Sequence, residues 1–312
     1  MPTSVYLPLE QRSPEWLEAR RSLITATDIP VLLGLSPYAC EADLADEKLG
    51  RATPREATIR MRIGTALEPL IGQEYTRLTG RKVQLYRTML RHPSIEWAAA
   101  SPDFRVVGER RLVEAKRASR SRFADGVPQD IEAQVAWQLG VSGMPVADVA
   151  VLVEDELQVH ELAADAGLFE DLLAVAADFR RRLAAGGPFS RNIDRLKRDY
   201  PRDNGETIVA DADVAAAVLA LIDARRTRKG IEQEEERLEE AIKARMADAA
   251  VMVGDGFRVT WKQTKDVETT DWKSIADGLL RQLPETEREA LVGLHTASRA
   301  GFRPFRIVEK GE

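Results

Sequence analysis

The sequence predicts an α/β fold, a mixed central sheet flanked by helices, with a helical extension after it. Three observations carry this. Apolar residues recur at three- and four-residue steps up to Gly80, then alternate like strands from Lys82 to Ala118. A helix, two strands and another helix follow, and that order suits a sheet covered by helices on its faces. After Arg198 the pattern becomes a long charged run rich in Glu, Lys, Arg and Leu, which reads as an arm outside the core.

The elements follow in order. "SPEWLEARR" (Ser13–Arg21) places Ser at an N-cap and Pro at the first helical position. "TATDIPVLLG" (Thr25–Gly34) reads as a second helix, and "EADLADEKLG" (Glu41–Gly50) as a third closed by Gly. Arg55–Gly80 is a long helix with Ile59, Ile63, Leu67, Leu70 and Ile71 on one side, and Pro69 should bend or break it. Lys82–Leu90, Trp97–Val107 and Arg111–Ala118 read as three strands. Pro128–Gly143 is a helix, Val146–Val153 and Glu156–Leu162 a hairpin, and Gly167–Gly186 a helix with basic residues in its last turns. Arg198–Glu206 resembles a linker, so the expected domains are 1–200 and 206–312. In the second, Asp211–Ala250 should form a coiled or two-helix hairpin broken at Gly230, followed by a turn and strand at Gly254–Thr264.

Composition narrows the function classes. At 312 residues and 44% apolar, the chain can bury a substantial core. Its one cysteine, Cys40, excludes a disulfide framework, a cysteine zinc site and an iron–sulfur cluster, and fits a reducing, cytoplasmic setting. No apolar run approaches about 18 residues and no signal pattern opens the chain, so no membrane association is expected. The net charge of −6 is unevenly spread: Arg51–Arg122 holds 16 Lys and Arg against 7 Asp and Glu, while Phe123–Phe179 holds no Lys or Arg. Such a chain can present a basic channel despite an acidic total.

The chemistry concentrates in "SPDFRVVGERRLVEAK" (Ser101–Lys116). Glu114 and Lys116 are two apart on one strand and share a face, and a hairpin brings Asp103 alongside. Two carboxylates at one sheet end repel unless a cation or a shared proton compensates. Hard oxygen ligands, completed by the Ala115 carbonyl and water, suit Mg2+ or Mn2+. Taken alone, the same residues equally describe a surface hairpin with an ordinary Glu–Lys pair.

The wider pattern is more specific. Pro102-Asp103 followed by Glu114-x-Lys116 on the next strand resembles the PD-(D/E)xK nuclease core. "EWLEARRSLITATDIPVLLGLSPY", "GTALEPLIGQEYTRLTG", "ASPDF" with "LVEAKRAS", and "EAQVAWQLGVSG" occur in the order found in the YqaJ-like viral recombinase nucleases, the lambda exonuclease group. The resemblance spans about residues 10–180 and implies a restriction-endonuclease-like core.

It also implies roles. Glu68 matches an acid on the long helix that reaches the metals. Asp103 and Glu114 match metal ligands, joined by the Ala115 carbonyl, and Lys116 matches the catalytic lysine. Gln134 matches a glutamine facing the site. Arg20 and Thr27 match an arginine and a hydroxyl that hold a 5′-phosphate, with Thr where lambda exonuclease has Ser and with Arg21 an equally suitable neighbour. The implied activity is Mg2+-dependent (two ions, Mn2+ substituting), 5′→3′ on the ends of linear double-stranded DNA, leaving 3′ overhangs. The implied partners are a single-strand annealing protein and two further copies in a trimeric ring. An endonuclease on the same core, or a non-catalytic DNA-binding or recombination assembly protein, are the rivals, and the arm is a candidate partner-docking module. His92, Cys40 and the tryptophans Trp16, Trp97 and Trp137 read as structural.

Overall fold

The computed structural model describes residues 5–10, 13–52, 58–86, 88–298, 301 and 303–307. The chain divides into two units, Met1–Tyr200 and Pro201–Glu312.

In the first unit β1 (Val5–Glu10) precedes α1 (Pro14–Ser22), whose N-cap Ser13 accepts the Trp16 amide at 3.1 Å. The expected helix at Thr25–Gly34 shrinks to α2 (Ile29–Leu32). Its first half is a turn, closed by the Asp28 amide donating to Thr25 O at 2.9 Å, and Ile24 just before it is tied down as a bridge, its amide donating to Trp97 O and its carbonyl accepting from Ala99. After α3 (Glu41–Lys48) comes α4 (Ile59–Thr79), capped by Thr58. The Arg55–Ala57 part of the expected helix lies outside the described residues. Pro69 does not end α4. Ile71 and Tyr75, buried two and six residues later, anchor the helix to the sheet and outweigh the lost hydrogen bond.

Two of the three expected strands each split in two. Lys82–Leu90 becomes β2 (Val83–Leu85) and β3 (Thr88–Arg91), and Trp97–Val107 becomes β4 (Ala99–Ala100) and β5 (Phe104–Val106). The halves join different sheets. One sheet has the order β1-β3-β4. The other adds β6 (Arg111–Ala118), then α5 (Gln129–Ser142), β7 (Val146–Val153) and β8 (Glu156–Ala163), in the order β2-β5-β6-β7-β8. Only β6 and β7 pair in parallel, with α5 as their crossover, so the sheet is mixed.

Helix α4 covers one face of the larger sheet through Ile71 and Tyr75 against Phe104, Val106, Val113 and Ala115. Helix α5 covers the other through Val135, Trp137 and Leu139, with α6 (Ala166–Ala185) behind it. Gly72 permits the close approach of α4, since a Cβ there would lie 2.9 Å from the Phe104 ring. Glu68 is one turn earlier on the same helix. Helix α7 (Ile193–Asp199) closes the unit.

In the second unit α8 (Ala212–Met246) runs unbroken through Gly230, against the expected two-helix hairpin. A single Gly costs only about 1 kcal/mol in a helix, and the Arg228–Glu232 ion pair at 3.3 Å spans it. The hairpin of β9 (Val251–Gly254) and β10 (Phe257–Thr260) follows, then α9 (Trp272–Leu280) and α10 (Glu285–His295). Among the described residues no helix is long and apolar enough to cross a membrane.

Candidate active site

Asp103 stands where the chain leaves one sheet for the other, directly before β5. Pro102 is buried there and brings no amide that would need a partner. Asp103 O accepts from the Tyr86 amide at 2.8 Å, and Oδ2 accepts from the Ala115 amide at 2.9 Å. The residue is thereby held by its backbone to the end of β2 and by its side chain to β6.

Glu114 is buried on the α5 face of β6. Its Oε1 accepts from Lys116 Nζ at 2.5 Å and from Gln134 Nε2 at 2.6 Å, and its Oε2 accepts from Gln138 Nε2 at 2.8 Å. Lys116 Nζ also donates to Gln134 Oε1 at 3.2 Å. Gln138, absent from the expected site, thus holds the second oxygen of Glu114. Its signal in the sequence was its position four residues after Gln134, on the same side of the helix. Its Oε1 is buried without a hydrogen-bond partner among the described residues.

The electrostatics follow from crowding. Burial, and then the neighbouring Glu114, push the Asp103 carboxyl well above the ordinary carboxylate range; Lys116 and the Ala115 amide only partly offset this, and Glu68 adds to it. Burial works against the Lys116 ammonium, yet Glu114 and then Asp103 outweigh it and raise its pKa. Lys116 is therefore held protonated, which suits it to orient water and balance charge rather than to accept a proton.

The structure therefore brings Asp103, Glu114, Lys116 and Gln134 together, with Glu68 near enough to act on Asp103. Among the described residues no group of three or more His, Cys, Asp or Glu is arranged to hold a metal ion by itself. The donor chemistry nonetheless fits a hard cation. Asp103 and Glu114 are oxygen donors on adjacent strands, and a divalent ion would relieve the repulsion that raises Asp103.

Arg20 and Thr27 also meet. Arg20 Nη2 donates to Thr27 Oγ1 at 3.1 Å and to Asp28 Oδ1 at 3.3 Å. Ile24 runs parallel to Ala98, so the Thr25–Thr27 segment is laid beside the strand that leads to Asp103. Arg21 instead pairs with Glu18 at the surface. Sequence reasoning missed Asp28 and Lys48. Lys48 Nζ is buried 2.6 Å from Asp28 Oδ2 and donates to Arg20 O at 2.9 Å. Burial alone would raise the Asp28 pKa, but Lys48 and Arg20 outweigh it and hold the carboxyl below its usual range. A buried lysine reads in sequence as one more surface charge, so only packing reveals it. Lys48→Met should cost about 3 kcal/mol, because it strips one partner from a buried ion pair. Urea unfolding checks this, and a loss below about 1 kcal/mol would mean that Arg20 alone satisfies Asp28.

The structural readings can be placed as well. His92 Nδ1 accepts the Ser94 and Ile95 amides at 3.2 and 3.1 Å and closes a turn, while burial lowers its pKa. Trp137 is fully buried and donates to Ala99 O at 2.9 Å. Cys40 is buried at the start of α3, its thiol against Asp43.

Residues 15–145 match the family model of the YqaJ-like viral recombinase domain. The uncharacterized protein YqaJ of Bacillus subtilis (strain 168) is 25% identical over 315 residues, covering 96% of this chain and 95% of that protein. Among solved structures, the alkaline exonuclease LHK-Exo from Laribacter hongkongensis is 23% identical, covering 60% of this chain and 97% of its own, with a TM-score of 0.48. A phage-related exonuclease from Haemophilus somnus 129PT is 12% identical, covering 53% and 96%, with a TM-score of 0.42. Over residues 15–145 the chain is thus similar to the YqaJ-like viral recombinase domain.

Proposed function

We propose that this protein is a metal-dependent DNA exonuclease that digests linear duplex DNA 5′→3′ and leaves 3′ single-stranded overhangs. The observation that carries the reading is the meeting of Asp103 and Glu114 at one sheet end, with Lys116 and Gln134 bonded to Glu114. Asp103, Glu114, the Ala115 carbonyl and Glu68 would hold Mg2+, as one ion or two, with Mn2+ able to substitute. When bound, the ion supplies water acidification and charge relief at the phosphate. Lys116 orients the attacking water and offsets phosphate charge. Gln134 and Gln138 fix the Glu114 carboxylate from both oxygens. Arg20 and Thr27 hold the terminal 5′-phosphate, a pairing of guanidinium and hydroxyl that suits a phosphate dianion.

The overhang would be received by a single-strand annealing protein, and three copies would encircle the duplex. The second unit is outside the matched domain, and α9 exposes Trp272, Ile275 and Leu279, which supports a partner-docking role for it.

The test is digestion in Mg2+ of three duplexes: linear 5′-phosphorylated, linear 5′-hydroxyl and covalently closed circular. The expected result is loss of the first, slower loss of the second and intact circles. Cut circles would show an endonuclease, and no loss of any substrate would leave a DNA-binding or assembly role.

A further inference from the structure

A cleft of about 570 Å3 adjoins the carboxylate site and is lined by Tyr6, Gln84, Leu85, Tyr86, Thr88 and Arg105. Its place in the sheet is set by register. Gln84 pairs with Arg105 and Leu85 with Phe104, so Tyr86, whose amide donates to Asp103 O, lies across from Asp103. Phe104 is buried against α4, so the next strand residue, Arg105, projects from the opposite face, two residues after Asp103. The cleft therefore lies at the sheet edge that carries Asp103, with Tyr86 of its lining bonded to the Asp103 backbone.

The lining has a distinct chemistry. Tyr6 and Tyr86 stack with ring centroids 6.2 Å apart and planes 9° from parallel, and their hydroxyls are 3.2 Å apart. Tyr86 is only 5% exposed and fixes the pair, while Tyr6 is 49% exposed and keeps ring surface open to the cleft. Arg105 lies 6.0 Å from the Tyr86 ring and is steered by Gln84 Oε1, which accepts its Nε at 3.2 Å and its Nη2 at 2.9 Å. No carboxylate lines the cleft among the described residues, so Arg105 is its only charged group there. A preset aromatic face beside an oriented guanidinium complements a base and its phosphate, and a base can stack on it only when out of the duplex.

We propose that this cleft is a subsite for one unpaired nucleotide of DNA next to the phosphodiester being cut, with the base on Tyr6 and its phosphate on Arg105. The subsite deepens the nuclease reading and rests on it for the identity of the ligand.

The test is fluorescence anisotropy of a short labelled single-stranded oligodeoxynucleotide against the full chain in Ca2+, with digestion of linear duplex in Mg2+ run separately. Tyr6→Leu should weaken binding about tenfold, the low-to-middle range for one stacked base. Tyr6→Phe, which keeps the ring, should stay within about threefold of wild type. Arg105→Gln should weaken binding and reduce the slope of log affinity against log salt by about 0.7, the value for one phosphate contact on a single strand. Wild-type affinity in both Tyr6→Leu and Arg105→Gln, an equal loss in Tyr6→Phe, or no binding by the wild type would overturn the subsite. A wild type that digests duplex while these variants bind normally removes the subsite and keeps the nuclease. A wild type that binds as described but digests nothing removes the nuclease and keeps the subsite.

Discussion

Lys116→Ala should lower the single-turnover digestion rate of 5′-phosphorylated duplex by about 10²- to 10⁴-fold, the range for loss of a positioned group that acts in the transition state. Lys116 Nζ is 2.5 Å from Glu114 Oε1 and 3.2 Å from Gln134 Oε1, so it is locked into the carboxylate site with only part of its side chain exposed. Removing it takes away the one positive side chain bonded to Glu114 among the described residues and leaves the Glu114 and Asp103 charges without it. Arg20 and Thr27 are untouched, so affinity for the 5′-phosphorylated end should stay within about threefold, and the loss should appear in the rate. A variant that digests within threefold of wild type would mean that Lys116 serves only to neutralise Glu114.

Asp103→Asn should abolish digestion and, in EDTA, raise thermal stability at pH 7. Both follow from the cost of holding Asp103 charged. Its carboxyl is pushed well above the ordinary value by burial and then by Glu114. In the unfolded chain it would titrate near about 3.9. A carboxyl raised on folding favours the folded state fully below that unfolded value, and the advantage is lost as pH rises toward the folded pKa. Wild-type protein in EDTA should therefore lose stability as pH rises from about 4 into the range where Asp103 ionises, and Asp103→Asn should flatten that slope. Asn can still accept the Ala115 amide, so the tie to β6 survives. Adding Mg2+ should raise the wild-type melting temperature, as any ligand that binds only the folded state does, and leave Asp103→Asn unmoved. Calorimetry at several pH values with and without Mg2+ checks each part, and an unchanged slope in the variant would show that Asp103 is not the group under strain.

The carboxylate site was largely legible in the sequence. Pro102-Asp103 and Glu114-x-Lys116 are close along the chain, and the period of two in a strand puts Glu114 and Lys116 on one face. Arg20 and Thr27 are likewise near neighbours along the chain. The groups that were missed come from afar or look ordinary. Lys48 reaches Asp28 across twenty residues, and Gln138 counted as one more polar helix residue until its Nε2 was seen on Glu114. Gly230 and Pro69 misled in the same way, because each carries a local cost that neighbouring ion pairs or burial overcome.

The sequence by itself determined the order of helices and strands from α1 to α6, two divided strands aside, the carboxylates and lysine at one sheet end, and the charged helical nature of the arm, since each is written in periodicity or short spacing. Tertiary structure alone decided that two apparent strands each divide between sheets, placing Asp103 at the crossing. It alone decided that Lys48 is buried under Arg20, and that Tyr6 meets Tyr86 across eighty residues. Those facts depend on which distant backbone satisfies each amide and on which side chains share a face, and neither is encoded in any short window of the chain.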